Sequence, residues 1–436
     1  MKLRLPSALA SLAYRDFTLL WLGQFISTSG TQIQTVALGW LVYTLTGSAA
    51  LLGGIALARA IPTILLSLFG GTLADQMDRR RLLLVSQSVL AGFSALLAVA
   101  IQFGLASVTI LYLFAILTAA ASAIDAPTRQ AFIPALVPRE RLANALTLNV
   151  LIFNVAAVLG PAFGGLVISG LGVEAAYWID AGSFFAVVAA LVLMRARIPP
   201  AVLPRRGLAA LVDGLQFVRA RPILWQLMLI DFFAVLFASR FGLLPVFAVS
   251  VLKIGAGGLG FLYAAVSFGA VLGSVLFAFV PQPRRPGFLV AVTVIGYGGV
   301  LALFGLARSL PLALFLLATS GALDAVSSAL RQTTRQLATP DSLRGRVGAL
   351  SSVFAAGGPR LGDFQAGVLA SLLGAGSAMV IGGAACLAMA VGSRWWAPQL
   401  WSYHGEELRT GEPQVVSHGT VTERMREAAE SISQSE

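Results

Sequence analysis

Four carboxylates, Asp180, Asp231, Asp324 and Asp363, stand inside stretches of sequence that are otherwise almost free of charge. Three arginines do the same: Arg59, Arg240 and Arg360. Burial drives a carboxyl group toward its neutral form, and a group poised between its two forms can carry a proton. A guanidinium cannot give its proton away, so a buried one needs an anion, from the protein or from a ligand. Asp231 is the first candidate for proton carriage, because no cation lies within one turn along its own segment, and Asp180 is the second. Arg59 is set to bind an anionic group or to pair with a carboxylate. Arg360 and Asp363 are a helical turn apart and could neutralise one another. Polar residues at Gln24, Thr28, Thr31 and Thr35, joined by Gln32, fall along one stripe of a helix. That stripe either lines a cavity, with Asn149 and Asn154 joining it, or forms hydrogen bonds between helices.

Other chemistries find no residues. A phosphate-binding loop needs Gly-Lys, and the two lysines, Lys2 and Lys253, follow Met1 and Leu252. Both histidines, His404 and His418, lie in a polar C-terminal stretch, which excludes a histidine-held metal or haem within the apolar part. No Ser-Lys or paired-Asp arrangement suggests a hydrolase. The reading is therefore no enzyme, no cofactor and no metal.

These residues must be held by membrane-crossing elements. Charged residues are 11% of 436 positions and apolar ones 57%, with a mean hydropathy of +0.85, whereas soluble folds carry about a quarter charged residues. An apolar run of about 20 residues spans a bilayer as a helix. Twelve such runs begin near Asp16, Ala49, Leu82, Ala106, Leu142, Val173, Ile223, Gly257, Gly287, Leu310, Val347 and Ser377. A net charge of +11 is compatible with nucleic-acid binding, but its distribution points elsewhere: 25 of 30 Lys and Arg fall on one side of this topology. By the positive-inside rule that side is cytoplasmic. Both termini then face the cytoplasm, and the partners are a lipid bilayer and a small solute, not nucleic acid.

Residues 196–222, rich in Pro and Arg, divide a six-helix half at 1–195 from a second at 223–396. Residues 397–436, polar and acidic, read as a mobile cytoplasmic tail. A repeat supports the division. Shifted by 202 residues, Gly71 meets Gly273, Arg129-Gln130 meets Arg331-Gln332, Pro138 meets Pro340, and Gly165 meets Gly367. The architecture expected is all-α: twelve transmembrane helices in two pseudo-symmetric six-helix bundles.

Three blocks carry a family resemblance. The segment Gly71-Thr72-Leu73-Ala74-Asp75-Gln76-Met77-Asp78-Arg79-Arg80-Arg81 reads as a short charge-dense turn, with Asp75 just past the end of the second helix. Its G-x-L-x-D-x-x-x-R-R spacing resembles the loop between helices two and three of the major facilitator superfamily, with Asp78 where that family normally has Gly. Helix five carries Gly160-Pro161-Ala162-Phe163-Gly164-Gly165, similar to the end of that family's export motif, with Ala156 in place of its leading Gly. The blocks Leu323-Asp324-Ala325-Val326, Leu343-Arg344-Gly345-Arg346-Val347 and Gly358-Pro359-Arg360-Leu361-Gly362-Asp363 resemble the enterobactin-exporter, or transmembrane secretion effector, branch.

The resemblance implies a latch at Gly71, Asp75, Arg79 and Arg80, with Arg129 as partner, clasping the cytoplasmic side of the two halves. It implies export linked to bending at Gly160, Pro161, Gly164 and Gly165. It further implies a monomeric secondary transporter of the bacterial inner membrane, moving a siderophore or drug-like amphiphile outward by proton antiport. Uptake by proton symport on the same scaffold is the alternative, and a non-transporting sensor a remoter one.

Overall fold

The computed structural model describes residues 7–195, 215–281, 283–340 and 343–403, without the side chains of 7–8, 67–76, 349 and 356. Most of the linker and of the tail therefore lie outside the described residues, as do the side chains of Gly71 and Asp75.

Twelve long helices follow one another: α1 (Arg15–Thr46), α2 (Ala49–Gln76), α3 (Arg79–Gln102), α4 (Val108–Phe132), α5 (Leu142–Leu171) and α6 (Val173–Leu193), then α7 (Pro222–Phe237), α8 (Ala256–Ala278), α9 (Pro286–Gly305), α10 (Leu310–Leu337), α11 (Arg344–Leu373) and α12 (Ala375–Trp396). They form two bundles of six with matching internal neighbours. The pairs α2–α4 and α3–α6 in the first bundle are mirrored by α8–α10 and α9–α12 in the second.

Among the described residues ten helices are long and apolar enough to cross a membrane. The other two, α1 and α11, are 32 and 30 residues long. Their length suffices but their composition is more polar than the twelve-run count implies. Such helices survive in a bilayer when their polar faces are turned from lipid, toward a bundle interior or a cavity.

The halves meet through two helix pairs, α5–α8 and α2–α11. A Cβ on Gly165 would stand 2.6 Å from the Ala256 carbonyl oxygen, and one on Gly260 only 2.4 Å from the Pro161 carbonyl oxygen. On the other pair, a Cβ on Gly53 would lie 2.7 Å from the Asp363 carbonyl oxygen, and one on Gly367 2.5 Å from that of Ala49. All four glycines lie toward the face opposite the arginine-rich turns. The backbones touch there because no side chain intervenes.

The turn between α2 and α3 is shorter than its sequence suggests. Helix α2 runs through Gln76, so the backbone of Asp75 belongs to its last turn rather than to a loop. Only Met77 and Asp78 separate the helices. Asp78 caps α3, its Oδ1 accepting from the Arg80 and Arg81 amides at 2.9 and 3.3 Å. The residue that departs from the family pattern thus has a local task.

At the other end the chain stays packed beyond α12. A turn at Pro398–Ser402 buries Leu400, whose amide donates to the Gln226 side chain at 3.0 Å. The beginning of the expected mobile tail is therefore part of the bundle.

Replacing Gly260 by leucine should force α5 and α8 apart, because the atoms it would strike are backbone. Spin labels at Leu171 and Gly255, at the adjoining ends of these helices, should report a longer mean separation than in the parent protein. An unchanged distance distribution would show that the two backbones do not need their contact.

Candidate functional site

The centre of the second bundle is organised by a break in α7. The helix loses its geometry at Ala238, resumes as a tight turn at Phe241–Leu243 and ends in a widened turn at Phe247–Val251. Pro245 accounts for part of this, since it has no amide to offer the Phe241 carbonyl one turn earlier. Unpaired backbone groups in hydrocarbon cost several kcal/mol each, and other helices supply the missing partners. The Tyr297 hydroxyl donates to the Ala238 carbonyl at 2.8 Å, and the Tyr263 hydroxyl to the Phe241 carbonyl at 3.0 Å. The Asp363 carboxylate accepts from the Gly242 amide at 2.9 Å and from the Ser239 hydroxyl.

Asp363 is therefore not committed to Arg360 alone, although the two attract one another. Among the described residues its carboxylate makes no ion pair, and neutral donors on α7 hold it instead. Arg360 reaches the other half, its Nη2 standing 3.5 Å from the Thr63 hydroxyl of α2.

The remaining acids of this half are paired across helices. Asp231 has no cation on its own helix, as its sequence requires, but Arg331 of α10 stands 2.7 Å away. Arg331, 6% exposed, also donates to the Ser327 and Ser328 hydroxyls at 2.6 and 2.9 Å. Asp324 lies 3.2 Å from Arg240, which is 5% exposed and also donates to the Tyr297 hydroxyl. A cavity of about 250 Å³ runs between these two pairs and the α7 break.

In the first half an acid with no assigned role forms the main polar cluster. Asp125 of α4, 1% exposed, accepts from Ser86 at 2.9 Å, from Gln87 at 2.8 Å and from Arg129 at 2.5 Å. Its four-residue spacing to Arg129 was the signal available in the sequence. Arg129, expected as the partner of Asp75, is thereby engaged within its own helix. Arg79 and Arg80 also bond inside their own half, donating to the carbonyls of Ala131 and Val192 at the ends of α4 and α6. Those contacts suit cations, since helix C-termini carry unsatisfied carbonyls and partial negative charge. Asp180, completely buried, accepts from Ser94 at 2.5 Å, with one carboxylate oxygen left without a partner.

The stripe on α1 divides between its two readings. Gln24 donates to Asn149 of α5 at 3.0 Å, an interhelical bond. Thr28 and Thr31 line a cavity of about 120 Å³ inside the first half. Gln32 and Thr35 line a larger one, about 360 Å³, between the halves. Asn154 is exposed on α5. Of the glycines on α5, Gly160 and Gly164 bring its backbone against Gln32 and Ile33 of α1, and Gly165 faces α8.

The cavity between the halves draws on α1, α2 and α5 from one side and on the α7 break, α8 and α11 from the other. Arg59 and Asp363 both line it, as do Pro161, Phe241, Gly242 and Tyr263. Arg59 also lines the smaller first-half cavity. Among the described residues its guanidinium has no hydrogen bond and no ion pair.

A family profile described as transmembrane secretion effector matches residues 6–411. The enterobactin exporter EntS of Shigella boydii is 28% identical over 358 residues, covering 82% of this chain and 86% of its own length. That of Escherichia coli O81 is 28% identical over 334 residues, 76% of this chain and 77% of its own. A bacterial homolog of the human lysosomal transporter Spinster, in an inward-facing and occupied conformation, superposes with a TM-score of 0.73 at 18% identity, covering 89% of this chain and 97% of that one. A bacterial homologue of the iron transporter ferroportin, in an inward-facing state, gives 0.66 at 18% identity, with 86% and 97% covered.

Removing Asp324 leaves Arg240 buried with only a hydroxyl and two aromatic faces for company. Asp324→Asn should cost about 2–4 kcal/mol, at or below the range for breaking a fully buried pair because the Asp324 side chain is 36% exposed. The double replacement with Arg240→Gln should recover much of that loss. Thermal unfolding of the purified variants measures both, and a double variant no better than the single would show the two residues to be independent.

Proposed function

The chain belongs to the transmembrane secretion effector family of major facilitator transporters, and on that premise we propose that it exports a small organic molecule across the bacterial inner membrane in exchange for protons. The arginine-rich turns mark the cytoplasmic face in this reading, with both termini there. The observation that carries it is the cavity between the halves, closed by glycine contacts on the opposite side and lined by polar groups from both bundles. A solute held there touches both moving bodies, so its binding energy can depend on how they are arranged. That dependence is what alternating access requires. The relatives are exporters of enterobactin by name, which favours outward transport and a siderophore or similar amphiphile as cargo. The working unit in this reading is a monomer.

Asp231 is the best proton carrier of the four acids. It borders the cavities of the second half and its side chain is 29% exposed, so water can reach it. When it takes a proton Arg331 is not stranded, because the Ser327 and Ser328 hydroxyls remain as acceptors. Protonating Asp324 would instead leave Arg240 with the Tyr297 hydroxyl alone. Asp363 is committed to the α7 break, and Asp180 borders none of the cavities described above. Losing the Asp231–Arg331 pair removes one of the two ion pairs that join the α7 region to α10, and α7 leads directly to the central cavity at Phe241 and Gly242. Proton and solute then drive turnover if each favours one arrangement of the halves, since equal affinity for both shifts nothing. At the α2–α3 turn, Asp75 with Arg79 and Arg80 would serve as the latch when the cytoplasmic ends come together.

Purified protein in liposomes with an imposed pH gradient tests this, using enterobactin and a fluorescent amphiphile such as ethidium as cargoes. The parent protein should drive gradient-dependent accumulation. Asp231→Asn should keep solute exchange yet lose the response to the gradient. Accumulation intact in that variant removes Asp231 from the mechanism, and accumulation in the opposite sense would make the protein an importer.

A further inference from the structure

Two cavities of the second half meet at Asp231. The larger runs toward the α7 break, while a smaller one of about 150 Å³ lies nearer the arginine-rich ends of α7, α10 and α11. Asp231, Arg331, Gln332, Arg335, Ser351 and Phe354 line the smaller one. Arg331 is taken by Asp231 at 2.7 Å. Arg335, one turn further along α10, is not. Among the described residues its guanidinium makes no hydrogen bond and no ion pair. Asp231 attracts it and Arg331 repels it. The dipole of α10 favours a cation in the last turn, yet a side chain in solvent would meet that preference equally well. Nothing in it calls for Arg335 to line a cavity beside a second guanidinium.

Another group in the same place lacks a partner. Ser351 of α11 is 7% exposed and lines the cavity, and its Oγ finds no hydrogen-bond partner among the described residues. Buried hydroxyls are rarely left so. A surplus cation and an idle hydroxyl on two walls of one cavity make a receptor for a carboxylate, which can accept from both at once. The space is too small for an organic molecule of drug size, whose sites run to about 300–1,000 Å³. It suits a single acidic side chain.

We propose that this cavity receives a glutamate side chain from the chain's own C-terminal segment, residues 404–436, and that the segment so held restrains α7, α10 and α11 against one another. The contact stands whatever solute the protein moves. Two observations favour this source over a free anion. The segment carries seven glutamates against three arginines, in a protein whose net charge is +11. It also starts beside its receptor. The Leu400 amide fastens the turn at Pro398–Ser402 to Gln226 at 3.0 Å, and Leu227, the next residue of α7, lines the cavity. Trp401 holds the same turn to α12 and α9, its Nε1 donating to the Ser393 hydroxyl at 3.0 Å and its ring set edge-on to Phe288. A carboxylate tethered so closely acts at a local concentration of about millimolar, so one charge-assisted contact is enough to seat it.

Distances between paired spin labels on the full chain, in nanodiscs of neutral lipid, test this. One label goes on Gly348→Cys, where a side chain meets nothing within 4 Å, and the other on Ser417→Cys, with the buried Cys386 replaced by alanine. The labelled parent should show a distinct short-distance population. Arg335→Gln should lower the docking equilibrium about tenfold or more, and Arg335→Lys should keep part of it. Exchanging all seven glutamates of 404–436 for glutamine should match Arg335→Gln. A parent with only a broad distribution would overturn the proposal, as would a short population that survives either Arg335→Gln or the neutral segment. Should Arg335→Gln fail to fold, the neutral segment decides, since its changes lie outside the bundle. Inorganic phosphate is the control for the other source. If it raises the unfolding temperature of the parent but not of Arg335→Gln, while the distances stay broad in both, the cavity belongs to a free oxyanion and not to the segment.

Discussion

A charge placed in hydrocarbon costs roughly 2.5–3.5 kcal/mol even on the most lenient scale, and nearly every distinctive feature of these two bundles is a response to that penalty. Arg129 and Arg331 occupy equivalent places in the two halves, meeting when the chain is shifted by 202 residues. Each is neutralised, but by different means. Arg129 takes an aspartate four residues back on its own helix, and Arg331 takes one from α7. The first solution stiffens a single helix. The second ties two helices together.

The break in α7 follows the same logic at the level of the backbone. A helix interrupted at membrane depth must find acceptors and donors elsewhere, and Tyr297, Tyr263 and Asp363 provide them from α9, α8 and α11. Three helices are thereby fastened to one short stretch of α7. Any shift of α7 is felt by all of them, whereas an unbroken helix with its bonds satisfied internally would slide past its neighbours. The contacts between halves are of the contrary kind. Along the two helix pairs they bring backbone against backbone at glycines, with Arg360 reaching Thr63 across the α2–α11 seam.

Much of this was legible in the chain. Hydropathy and the one-sided arginines placed the helices within a few residues, and the repeat of Gly165 at Gly367 marked equivalent positions in the halves without revealing that both lie on the seams between them. Local grammar also located the α2–α3 turn, although not the two-residue length that follows once Asp78 is seen as a cap. Partners on other helices were not readable. Asp231 looked free of cations because Arg331 is distant in sequence, and Arg360 and Asp363 looked like a pair because spacing along one helix is the only proximity a sequence displays. Asp125 was missed although its spacing to Arg129 was in plain view. The α7 break left only Gly242 and Pro245 as traces, and both residues are common inside membrane helices. The polarity of α1 and α11 ran against the count of twelve equivalent apolar runs, and both helices border the cavity between the halves.

Consistency across the rest of the molecule is what gives the exception its meaning. Three arginines inside the bundles are answered by aspartates, and the α7 break by three neighbouring helices. Against that background Arg59 is unanswered and lines the largest of the cavities described. Sequences that agree with their folds at every other level tend to depart from the rules where function requires it. A carboxylate placed beside Arg59 would satisfy its guanidinium from within the bundle, as Asp125, Asp231 and Asp324 satisfy theirs.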